Sequence, residues 1–277
     1  MSGWPVADPT RPPTPDQALE LARRARGALA DDDRALHIGR ACELARVKTL
    51  TRPLPVGSGR HTAMLLPEPD GFRAVVDSTT WHRAQHDDVG RRRLRFVLAH
   101  ELGHTLFYEA GSPPRRTRPS DEREESFCDR FAMLLLVPQT VAGRTVADPD
   151  RLRGLATRYD VSLRLAAWAV TEAQPDLTLL MLRHGPHPRR GGDETMRTEW
   201  GANQQHFIAK GESFKSALAD LAPGEYGQSF ERLRLSGRER DYEIQAWRSA
   251  GSMLVALRER DATQSRPPST RQLTLFK

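Results

Sequence analysis

The segment His100-Glu101-Leu102-Gly103-His104 sets two imidazoles four residues apart, with a carboxylate beside the first. On a helix, positions four apart share a face. His100 and His104 can therefore offer two nitrogens to one tetrahedral zinc ion while Glu101 sits beside the open coordination position. That is apparatus for hydrolysis, in which the zinc acidifies a water and Glu101 takes its proton as general base. Leu94, Val97, Leu98, Leu102 and Leu106 recur at three- and four-residue spacing, which gives such a helix an apolar side to bury. A buried His/Glu cluster is costly unless a metal satisfies it. Gly103 weakens the helix locally and is expected to leave room beside the metal. His82 and His86 are also four apart. They lack a glutamate between them and lie in a polar stretch, so they are read as surface histidines.

A two-histidine site needs a third protein ligand and hydrogen-bond partners behind its imidazoles. A second helix, starting near Asp121, carries Glu125 and Asp129 four apart on one face and Phe127, Phe131, Leu134 and Leu135 on a core side. Glu125 fits the third ligand, and Asp129 can accept a hydrogen bond from the far nitrogen of His100. Glu124, placed for a capping box, is the nearest competitor for the ligand role.

Other elements must position these residues. Asp87 or Asp88 is expected to cap the helix carrying His100, which runs to about Phe107. Before it, residues 61–77 read as a β-hairpin with its turn at Pro67-Glu68-Pro69-Asp70-Gly71, a candidate edge for pairing with an extended peptide. Helices are expected from Asp16 to Ala30 and from Arg34 to Lys48, after a disordered lead-in over residues 1–15.

At 277 residues the chain has room for one large or two ordinary domains. Its 38% apolar and 28% charged content suggests tails or linkers around a folded middle. Lys and Arg exceed Asp and Glu by six, 42 against 36. The basic residues are dispersed and read as a well-solvated surface rather than a nucleic-acid face, the run Arg91-Arg92-Arg93 included. The two cysteines, Cys42 and Cys128, form no disulfide framework, which points to a reducing cytoplasm. Neither a signal peptide nor a membrane-length apolar run is evident, so membrane association is not expected.

Arg95-Phe96-Val97-Leu98-Ala99-His100-Glu101-Leu102-Gly103-His104 and Glu125-Ser126-Phe127-Cys128-Asp129-Arg130-Phe131-Ala132-Met133-Leu134-Leu135-Leu136-Val137-Pro138 together resemble the ImmA/IrrE family of zinc metallopeptidases. The sequence departs from the family pattern at Asp129, where Asn is common, and at Cys128, where Ala is common. The resemblance implies an α+β, zincin-like peptidase core over residues 16–175, with the metal-bearing helix pair packed on a small antiparallel sheet. It implies a Zn2+ cofactor and a protein substrate such as a helix-turn-helix repressor in a stress, DNA-damage or mobile-element response. Residues 148–173 are similar to the helix-turn-helix-like segment of that family. Ser162 is placed to cap its second helix, but Leu163, Leu165, Ala166, Ala167 and Trp168 suit packing better than DNA reading.

Residues 176–260 read as an accessory α+β domain, sensor-like by the same resemblance, with strands at 177–182, 230–235 and 250–257 and a helix near 213–221. A flexible tail follows over 261–277. It ends in Gln272-Leu273-Thr274-Leu275-Phe276, similar to the peptide by which bacterial replication and repair proteins dock on the DNA sliding clamp. Leu273, Leu275 and Phe276 would be the apolar part of that peptide and Gln272 its polar rim contact. A competing reading from a different class follows: a clamp-associated adaptor whose zinc site is structural or vestigial. An intact Glu101 argues against it, since a purely structural site has no need of a general base.

Overall fold

The computed structural model describes residues 3–5, 13–29, 35–54, 62–109, 111–116, 122–185, 195–202, 216, 218–235, 238–260 and 272–275. The chain divides into two compact units, one of residues 1–141 with 156–165, the other of residues 142–155 with 166–277.

In the first unit the described elements begin with α1 (Ala18–Leu29), α2 (Ile38–Leu44), β1 (Val47–Arg52), β2 (Ala63–Glu68) and β3 (Gly71–Asp77). There follow α3 (Ser78–His86), α4 (Asp88–His104), the short strands β4 (Tyr108–Glu109) and β5 (Arg115–Arg116), α5 (Glu122–Leu136) and α6 (Gln139–Ala142). The expected hairpin is present: β2 and β3 pair antiparallel, with Glu68 opposite Gly71. The sheet as a whole is mixed rather than antiparallel, because β1 lies parallel to β3 on its other side, in the order β1-β3-β2. Periodicity could not reveal β1, since only Val47 of its residues is buried and the rest are exposed.

The helix expected to reach Lys48 stops at Leu44, and Arg46 turns the chain with φ 55°. That turn docks on the hairpin. Phe72 N–H donates to the Arg46 carbonyl, and a Cβ on Gly71, whose φ is +144°, would stand 2.4 Å from that oxygen. Both φ and space therefore require glycine.

Asp87 joins α3 to α4: its N–H donates to the Arg83 carbonyl, and its carboxylate caps α4 by accepting from Gly90 N–H. Leu94, Val97, Leu98, Ala99 and Leu102 bury one side of α4. On α5, Phe127, Phe131, Ala132, Leu135 and Leu136 are fully enclosed. Phe107 and Phe127 meet edge-on at 5.3 Å, and Trp4, in the stretch read as a lead-in, stands edge-on to Phe131 at 6.3 Å. Trp4 Nε1–H also donates to Thr105 Oγ1, whose hydroxyl donates to the Leu102 carbonyl.

The helix-turn-helix-like segment is α7 (Pro149–Arg158) and α8 (Leu163–Ala173). Ser162 Oγ accepts from Leu165 N–H, as its cap position implies. Leu165, Ala166, Ala167 and Val170 are buried, so α8 commits much of its surface to packing.

The second unit is dominated by an antiparallel sheet of β6 (Leu177–Gly185), β7 (Thr195–Ala202), β8 (Glu225–Leu235), β9 (Arg238–Arg248), β10 (Ser252–Glu259) and β11 (Gln272–Leu275). Its order is β11-β8-β9-β10-β6-β7. Leu180, Leu182, Tyr242, Ile244, Val255 and Leu257 belong to its core, with Leu218 and Leu221 packed among them. Where a helix was expected near 213–221, the described residues 218–220 form a turn. Gln272–Leu275, read as part of a flexible tail, pair as an edge strand with β8, Leu273 opposite Gly227. Phe276 lies outside the described residues, as do Asp121 and residues 261–270. Among the described residues no helix is long and apolar enough to cross a membrane.

Candidate metal centre

The two histidines of α4 meet as their spacing demands. His100 Nε2 and His104 Nε2 are 3.1 Å apart. Glu125 approaches from α5, with Oε2 3.3 Å from His100 Nε2 and Oε1 3.7 Å from His104 Nε2. Bonds of about 2.0–2.1 Å to a tetrahedral zinc imply ligand–ligand separations of about 3.4 Å. The separations among the three side chains are close to that value, although Glu125 meets the two imidazoles through different oxygens.

Each imidazole is held from behind by a carboxylate. His100 Nδ1–H donates to Asp129 Oδ1 at 2.8 Å, and His104 Nδ1–H donates to Glu124 Oε1 at 2.6 Å. Bonds of this kind fix the tautomer, leave Nε2 as the free lone pair and raise its basicity. Asp129 takes the place expected of it. Glu124 is neither an exposed cap nor a ligand at Nε2: its carboxylate is 0% exposed and also accepts from Arg116, whose other arm donates to Tyr108 Oη at 3.1 Å. Sequence reasoning missed Arg116 altogether, because it lies on a two-residue strand with no pattern to mark it.

Burial disfavours a charged His100 ring, but the hydrogen bonds to Asp129 and Glu125 outweigh that penalty and raise its pKa to about 9. A metal binds the neutral imidazole, so a raised His100 pKa makes its affinity depend on pH.

Cys128 is a rival third ligand. One ligand atom from each of His100, His104 and Cys128 lies within 4.8 Å of the others, making a candidate metal cluster. The Cys128 thiol is fully enclosed, and its pKa is raised by burial and then by the neighbouring carboxylates, Glu124 foremost. It also packs against α4, since a Cβ on Gly103 would lie 3.1 Å from Cys128 Cα and Sγ. The space at Gly103 expected for the metal is in fact space for Cys128. Glu125, with 44% of its side chain exposed, opens instead toward the cleft. Glu125 differs from the thiol in its access to solvent, with 44% of its side chain exposed against a fully buried Cys128.

That cleft, of about 200 Å³, is lined by Thr62 and Ala63 at the start of β2 and by Arg93, Phe96 and Val97 of α4. His100, Glu101, Glu125 and Asp129 complete its lining. Glu101, which lines the cleft together with His100, is only 5% exposed. The run Arg91-Arg92-Arg93, read as a solvated face, is divided. Arg91 and Arg92 donate to the Asp160 carboxylate, while Arg95 donates to the backbone carbonyls of Asp160 and Tyr159. Asp160 sits at φ 49° in the turn between α7 and α8, its pKa lowered first by the Arg91 hydrogen bond.

An HExxH helix with carboxylates arriving from a second helix defines the class as a candidate metallopeptidase centre. Residues 85–170, which contain both helices, match the M78 peptidase family, described as the IrrE N-terminal-like domain. The chain thus carries an M78 peptidase domain with a candidate metal cluster. A search of curated proteins finds no match.

Proposed function

We propose that the chain is a zinc-dependent endopeptidase whose metal is held by His100, His104 and Glu125. The observation that carries this reading is the approach of Glu125 to both Nε2 atoms at 3.3 and 3.7 Å, beside a nearly buried Glu101. Held by these residues, a zinc ion would supply Lewis acidity toward a water and the scissile carbonyl. Glu101 would serve as the general base for the attacking water and then as the acid toward the leaving amine. Asp129 and Glu124 hold the imidazoles in orientation through Nδ1. The edge strand β2, whose first residues line the cleft, can bind an extended substrate by main-chain hydrogen bonds.

The proposed substrate is a regulatory protein such as a helix-turn-helix repressor acting in a stress, DNA-damage or mobile-element response. The likeness of residues 85–170 to IrrE supports that choice. Co-expression with candidate repressors tests it. A repressor fragment that appears with the natural chain and not with Glu101→Gln supports the proposal, and intact repressors throughout oppose it.

The Gln272-Leu273-Thr274-Leu275-Phe276 peptide is proposed to bind a DNA sliding clamp, on the strength of its sequence alone. Such binding requires residues 272–275 to leave the edge of β8. Loss of clamp binding on replacing Leu275 and Phe276 by alanine is the expected result, and no clamp binding by the natural chain contradicts it.

A further inference from the structure

Four arginines lie between positions 91 and 95, and three of them are committed to the Tyr159-Asp160 turn. Arg93 is different. It is exposed, no ion pair engages it among the described residues, and it lines the same cleft as His100 and Glu125. An exposed guanidinium kept out of a neighbouring ion-pair cluster and lining a cleft is available to a ligand. Its planar fork matches a carboxylate.

Position on α4 supplies a scale. Arg93 and His100 are seven residues apart on one helix, about two turns, so they share a face and stand about 10 Å apart along the axis. An extended peptide advances about 3.3 Å per residue. A strand laid along that face from the metal centre reaches Arg93 about three residues from the bond to be cut. Between them lies half-buried Phe96, its ring 6.5 Å from that of His100, as an apolar floor.

The cleft is also sorted by charge. Glu101, Glu125 and Asp129 crowd its metal end, while Arg93 is the cation lining it elsewhere. An acidic side chain next to the scissile bond meets like charge. The same side chain three residues away meets Arg93.

We propose that Arg93 forms a subsite for an Asp or Glu side chain about three residues from the scissile bond of an extended peptide, on the side toward the start of α4. The subsite rests on the peptidase reading, and its test keeps the two separable. The zinc-loaded full chain carrying Glu101→Gln is titrated, by fluorescence anisotropy, with labelled neutral peptides bearing Asp or Lys at each position in turn. Asp is expected to bind about two- to fivefold more tightly than Lys at one position, the size of an exposed ion pair. Adding Arg93→Glu should invert the preference there and nowhere else. An unchanged charge profile in the Arg93→Glu protein overturns the subsite, as does a flat profile without that change. The zinc-loaded natural chain is then given the same peptides and any cut is mapped by mass spectrometry. Cleavage about three residues from the charge-sensitive position supports both proposals. Charge-selective binding with no cleavage removes the peptidase reading and leaves a peptide-binding subsite. Cleavage indifferent to charge removes the subsite alone.

Discussion

Glu124 and Glu125 are neighbours in the chain and meet opposite edges of one imidazole. Glu124 Oε1 accepts from His104 Nδ1 at 2.6 Å, while Glu125 Oε1 lies 3.7 Å from His104 Nε2. Consecutive helix residues diverge by about 100° around the axis, so a ring seated between the two directions is reached by both. One carboxylate thereby faces Nε2, where the proposed metal would bind, and the other faces Nδ1.

Glu124→Gln tests that division. It preserves shape but replaces the charge behind His104, and zinc affinity is expected to fall about 10- to 100-fold. Competition with a chelating dye reads this directly. Unchanged affinity would show that the buried Arg116-Glu124-His104 chain supports the fold and not the metal.

Zinc content separates the rival ligands. Cys128→Ala is expected to retain one equivalent of zinc after dialysis, whereas Glu125→Gln should lose most of it. The reverse pattern would transfer the third ligand to Cys128.

Gly103→Ala should destabilise the first unit by about 1–3 kcal/mol, the usual cost of overpacking. The new Cβ meets the Cys128 backbone as well as its sulfur at 3.1 Å, so α4 and α5 must separate. Combining it with Cys128→Ala should recover only part of the loss, because the clash with the α5 backbone remains. Full recovery in thermal melts would place the clash in the thiol alone.

Asp160 gives a pH signature. Hydrogen bonds from Arg91 and then Arg92 hold its folded pKa below the ordinary value, against the opposing effect of burial. Its stabilisation is therefore present above the unfolded pKa, about 3.9, and is lost as pH falls through the lower folded value. Asp160→Asn, which still tolerates the left-handed φ of 49°, should unfold at lower urea than the natural chain at pH 7. The gap should shrink below about pH 4. A gap independent of pH would contradict the ion-pair account.

The candidate site was legible where chemistry and helical period coincide, although Cys128, which joins the two histidines in the candidate metal cluster, was not read as a ligand. His100, Glu101 and His104 follow from four-residue spacing, and Glu125 with Asp129 from the same spacing on α5. Glu124 and Arg116 were not, because their roles depend on how two helices and a two-residue strand meet. The hairpin announced itself through Pro and Gly at its turn, while β1 is solvated along most of its length and carries no alternation. Trp4 lies among prolines and small residues, and its place beside Phe131 is a tertiary contact that no local pattern encodes.

Glu101 is proposed as the base of a zinc peptidase. The most direct test compares kcat/KM of the zinc-loaded natural chain and zinc-loaded Glu101→Gln on a quenched peptide pool, at equal metal content. The account predicts a loss of about 10²- to 10⁴-fold in the variant, the usual contribution of a positioned general base. Equal rates in the two proteins, or no cleavage by either at full zinc occupancy, would contradict it.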